Sequence, residues 1–166
     1  FTLPVNEVEN LLVDTIILDY IVDKFKISPE KLNQYYENFW KEFSVKIEEQ
    51  ATKYITNYIH YKFTDIFLNK ETNIENLEEQ LTDLSNTIDL KAKYDETINT
   101  LKEWENNKNY LAAIKFVDFK KILLNNLAGQ LIKTYPDLVM KELAENSELR
   151  EQIREKYFNS DIFTSC

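Results

Sequence analysis

Residues able to do chemistry are few in this chain and badly spaced for it. There is one histidine, His60, and one cysteine, Cys166. One histidine and one cysteine build neither a zinc site nor a cysteine–histidine pair at any usual spacing. His60 shares a helical face with Lys53, Thr56 and Asn57 and reads as a solvated surface residue. Glu48-Glu49 and Glu78-Glu79 are adjacent residues, which point about 100° apart on a helix and cannot chelate together. Dinuclear carboxylate bundles use Glu-x-x-His pairs, and the sequence has none. Asp14, Asp19 and Asp23 do not align on one helical face, so solvation or local salt bridges are expected for them. Phosphate-cradling loops and the nucleophile elbow need several glycines, and Gly129 is the only one. The expectation is a non-enzyme without metal or cofactor.

What remains is side chains suited to contact. Tyr36, Phe39, Trp40 and Phe43 follow one another at three- and four-residue steps, Trp104 closes a second apolar stripe, and Lys115, Lys120 and Lys121 form a basic run. These eight are the candidate partner-binding residues. The competing reading of the aromatics is bulky core, because such rings bury large areas wherever they sit. The lysines stand out against their surroundings. Residues 72–107 carry nine acids and three lysines, whereas 108–135 carry five lysines and one aspartate. Such opposite fields favour pairing the two segments, or steer an acidic partner to the second.

The elements that would position these residues are long helices. Ser28-Pro29-Glu30 is a helix start: a capping serine, a proline at the first helical position and an acid beside the positive helix end. No Gly or Pro follows until Gly129. A helix from Ser28 to Lys70 would be about 60 Å long. Its stripe from Leu32 through Phe39 to Tyr61 covers one side, and Ile55, Ile59, Phe63 and Ile66 open a second after the midpoint. The first half is therefore expected to be covered from one side, the second from two. A first helix is expected from Pro4 to Lys26 and a third from Asn73 to Asn106, after a break at Asn69–Asn73. In the third, Ile74, Leu77, Leu81, Leu84 and Ile88 keep a coiled-coil spacing, after which the stripe changes phase near Lys91. A fourth helix, Lys108 to Thr134, contains Gly129, explained by close helix packing. Pro136 stops or kinks the chain, and Asp137–Asn159 forms one helix or two, with Ser147 able to cap the second.

With one Gly and three Pro in 166 residues, tight turns are rare and strands are disfavoured. The expected fold is all-α: an elongated antiparallel helical bundle of about five helices built on long αα-hairpins. Residues 1–159 form a single domain and 160–166 a flexible tail. A net charge of −9 argues against nucleic acid as a partner. Leu11–Val22, the most apolar run, is too short to span a membrane and carries two aspartates. The single cysteine and the lack of an N-glycosylation sequon fit an intracellular, cytoplasmic address. The functional expectation is an interaction or scaffold module, one subunit or fragment of a larger tethering or coiled-coil assembly. It would pair with other helical chains, as a homo- or hetero-oligomer. A bundle binding an apolar small molecule or lipid between helices 1, 2 and 4 is the alternative, and a secreted effector or adhesin binding a host protein is a third.

Overall fold

The computed structural model describes residues 8–68, 74–117 and 121–158, and these are all-α, with no strand among them. A 3₁₀ helix, Val8–Val13, leads into α1 (Thr15–Lys24) and then the 40-residue α2 (Pro29–Leu68). α3 (Ile74–Thr87), α4 (Leu90–Asn106) and α5 (Tyr110–Phe116) follow, then a π-helix, Lys121–Ala128. A single turn, α6 (Gly129–Leu131), leads into α7 (Tyr135–Glu145) and α8 (Ser147–Phe158). The expected start at Pro4, the loop Asn69–Asn73 and the tail from Ser160 lie outside the described residues.

The bundle has more breaks than expected, and each has a local cause. The first helix does not run unbroken to Lys26: Asp14 interrupts it and caps α1, its carboxylate accepting the Ile16 N–H at 2.9 Å. The third helix ends at the change of apolar phase, where Asp89 accepts the Ala92 N–H at 2.9 Å and starts α4. The fourth breaks after Phe116 because Val117 is extended. Asn10 Nδ2 then donates to Ile114 O at 2.7 Å and Val117 O at 2.8 Å, serving carbonyls that a continuous helix would have used itself. Pro136 sits in the first turn of α7, where its missing N–H costs nothing. Asn146, rather than Ser147, separates the last two helices, its side chain accepting the Leu149 N–H at 3.0 Å.

α2 and α4 run antiparallel: Lys108 Nζ lies 5.0 Å from the Trp40 ring centre, and Lys93 Nζ 4.8 Å from that of Tyr58. The later chain then doubles back. Tyr110 meets Phe39 at 4.8 Å between ring centres, and Gln130, twenty residues on, accepts from Asn38 at 2.7 Å. This return piles α5 and α6 onto the first half of α2. Tyr35, Phe39, Phe43 and Ala51 are consequently fully buried, together with Ile17, Leu18 and Ile21 of α1. The two-sided second half expected from the sequence is corrected here. From Tyr54 on the helix is partly uncovered, with Tyr54, Phe63 and Tyr61 at 41%, 39% and 63% exposure. The broken fourth helix touches that half where the Phe116 ring lies 5.2 Å from that of Tyr54.

Gly129 also departs from expectation. A Cβ built there would meet nothing nearer than Leu124 O at 3.9 Å, an ordinary contact, so close packing does not require glycine. Gly129→Ala should therefore raise the urea-unfolding free energy, by up to about 1 kcal/mol; a decrease would mean that the turn needs glycine for another reason. Phe39→Ala, at the centre of the core, should cost about 3–5 kcal/mol in the same measurement.

Candidate functional site

A groove of about 880 Å³ lies where α1, α2 and the α4–α5 turn meet. One wall is α2 from Asn33 to Val45; Thr15, Glu105 and Lys108 form the other, and Tyr36, Trp40 and Tyr110 make the floor. The floor is rigid because its rings pack edge to face: Tyr36 and Tyr110 at 5.0 Å and 86°, Tyr35 and Tyr36 at 5.4 Å and 68°. Below it, Tyr110 donates to Val13 O at 2.8 Å, so in the 2.7 Å contact between hydroxyls Tyr35 is the donor to Tyr110. Tyr135 donates to Leu12 O at 2.8 Å. Burial pushes the Tyr35, Tyr110 and Tyr135 hydroxyls well above the ordinary phenol value, keeping them as donors.

Lys108 owes its position to an unusual stop. Its N–H bonds Glu105 O at 3.2 Å and that of Asn109 bonds Trp104 O at 2.9 Å, while Lys108 itself has φ 51°. This is a Schellman ending with lysine in the slot that glycine usually fills. α1 ends the same way at Lys26, φ 52°, but that ammonium turns back to Asp23 of its own helix at 3.0 Å. Lys108 instead reaches across to the Trp40 face.

The eight sequence candidates do not form one site. Tyr36 and Trp40 line the groove, half-buried and 8% exposed respectively, while Phe39 and Phe43 are sealed in the core behind it, carrying packing rather than surface. Trp104 lies apart, half-buried, with its ring 5.7 Å from that of Phe116; that ring is 5.2 Å from Tyr54. Lys115 is exposed, 5.6 Å from the Tyr157 ring centre. Lys120 and the Lys121 side chain lie outside the described residues. Sequence reading missed Val45, Lys108 and Tyr110 as groove residues. Val45 falls off the α2 stripe, and only the asparagines flanking Lys108 hinted at a left-handed stop.

The polar ties were missed as well. Asp14, expected among solvated acids, is fully buried: Lys156 Nζ donates to its oxygens at 2.8 and 2.7 Å, and the Tyr157 hydroxyl donates to Oδ2. Burial first, and this bond second, raise the Tyr157 hydroxyl well above its ordinary value. Glu142, also buried, accepts from Lys24 and from Tyr20 at 2.7 Å. Asp14 spends both carboxylate oxygens on fixed donors, and Glu142 takes both of its donors on Oε2, so each cluster joins distant helices.

Among the described residues no group of three His, Cys, Asp or Glu side chains could hold a metal ion, and no helix is long and apolar enough to cross a membrane. His60 is exposed on α2. Comparison with protein-family models, with curated proteins and with solved structures finds no match for the chain.

The Lys24–Glu142 tie makes stability depend on pH at both ends of the scale. The hydrogen bond from Lys24, with Tyr20 second, holds Glu142 below its ordinary 4.5, and the same bond raises Lys24 above 10.5. The carboxylate's contribution is complete above 4.5 and lost as pH falls through the lower folded value. That of the ammonium is complete below 10.5 and lost as pH rises through the raised one. Glu142→Gln should lower the thermal midpoint between these limits, and its gap from wild type should close as acid protonates Glu142; a gap constant into strong acid would sink the assignment. Asp14→Ala, which strands Lys156 and Tyr157, should cost about 3–5 kcal/mol in urea unfolding.

Proposed function

We propose that this chain is a non-enzymatic helical interaction module, a subunit or fragment of a larger helical multiprotein assembly, and that the groove beside α2 receives a segment of its partner. The observation that carries the reading is the groove itself, a preformed aromatic floor on a rigid core with Val45 at its edge, 80% exposed. Apolar anchors on rigid elements are what partner segments pack against. The uncovered aromatics of distal α2, Tyr54, Tyr61 and Phe63, supply a second contact face further along the same helix. An intracellular address and assembly with other helical chains go with this reading.

Binding of an apolar small molecule is the second reading, favoured by one observation: about 880 Å³ lies within the range of ligand pockets. The groove is open along one side, however, and a protein segment covers such a trough better than a small molecule fills it.

Val45→Asp separates stability from docking. Because Val45 is 80% exposed, the variant should unfold within about 0.5 kcal/mol of wild type. It should also lose a stoichiometric helical partner that wild type retains through purification from its source cells, as read by mass spectrometry. Undiminished recovery by the variant would place the docking surface elsewhere.

A further inference from the structure

We infer that the groove takes an amphipathic segment of a protein partner, one that seats an apolar side chain on the Tyr36 and Trp40 rings and sets a carboxylate against Lys108 Nζ. This rests on the docking reading above and adds the chemistry of the occupant. Length comes first: the α2 wall runs twelve residues from Asn33 to Val45, about 18 Å, which matches some three turns of a partner helix.

Hydrogen-bonding capacity comes second. Neither the Trp40 indole N–H nor the Tyr36 hydroxyl makes a hydrogen bond among the described residues, although Trp40 is only 8% exposed. The Lys108 ammonium lies 5.0 Å from the Trp40 ring centre and makes no ion pair among the described residues. A carboxylate set beside it would pair with it.

Charge fixes the direction of the occupant. Glu37 and Lys41 stand one turn apart on the α2 wall, and Glu105 and Lys108 face them from the other. Neither Glu37 nor Glu105 has an ion-pair partner among the described residues. The occupant's acid belongs at Lys108, and basic side chains flanking its apolar anchor would meet the two glutamates. A segment of uniformly negative charge would be repelled by them.

Selection of phage-displayed random sixteen-residue peptides on the folded chain tests this. Lys108→Gly is the informative variant, because glycine suits the left-handed backbone at that position while the side chain and its ammonium are removed; an unchanged thermal midpoint or a raised one verifies its fold. Enriched peptides should pair an aromatic or aliphatic anchor with Asp or Glu within one turn. Synthesised, they should bind Lys108→Gly and Val45→Asp at least about tenfold more weakly, and lose a similar factor when their own acid becomes an amide. Peptides that need Val45 but carry no acid and ignore Lys108→Gly would overturn the carboxylate pairing and leave the docking reading standing. Peptides indifferent to both variants, or no enrichment, would overturn both. A wild-type dimer in sedimentation that Val45→Asp abolishes would seat a second copy in the groove instead of a partner.

Discussion

Asp14 caps α1 through the Ile16 N–H, gives both carboxylate oxygens to Lys156 and accepts the Tyr157 hydroxyl. Most of α8 is polar; among its described side chains Leu149 and Tyr157 are buried, and Arg150 bonds the carbonyls of Leu143 and Ala144. A buried ion pair is not in itself a large source of stability, since desolvating both charges offsets much of their attraction. Its effect is on selection among arrangements. Any other docking of α8 would leave a carboxylate or an ammonium buried and unmatched, at a cost of several kcal/mol. Asp14 thus decides where α1 begins and where α8 lies.

The tyrosines extend this logic into the apolar core. Tyr35, Tyr110 and Tyr135 are large enough to fill the space between α2, α5 and α7, yet each must spend a hydroxyl. Two of those hydroxyls reach the carbonyls of Leu12 and Val13, at the end of the 3₁₀ helix, where helical bonding leaves acceptors over. Filling volume and satisfying backbone are therefore done by the same residues. The groove floor is the outer surface of this arrangement, which explains why it is preformed.

Much of the fold was readable in the sequence, and the misreadings share one cause. The scarcity of Gly and Pro, the Ser28-Pro29 start and the long apolar stripe of α2 led directly to an all-α bundle on a 40-residue helix. Local periodicity cannot report where a chain turns back. The doubling back between Tyr110 and Gln130 moved the core to the first half of α2 and left Tyr61 in water, although the sequence makes the second half apolar on two sides. The same limit hid Asp14, whose partners lie 142 and 143 positions away. Of the candidate site, Tyr36 and Trp40 were found by their spacing. Lys108 was not, because a lysine in a glycine position carries no signal in composition or period.

Those separations also bear on how the molecule is made. The N-terminal helices leave the ribosome well over a hundred residues before Lys156 and Tyr157, an interval on the order of ten seconds at ordinary rates of synthesis. Throughout it the Asp14 carboxylate has water in place of its partners, and the carbonyls of Leu12 and Val13 await Tyr135 and Tyr110. α2 can form early, since its bonds are local. The segment before it is made long before its partners and is among the last to be fixed.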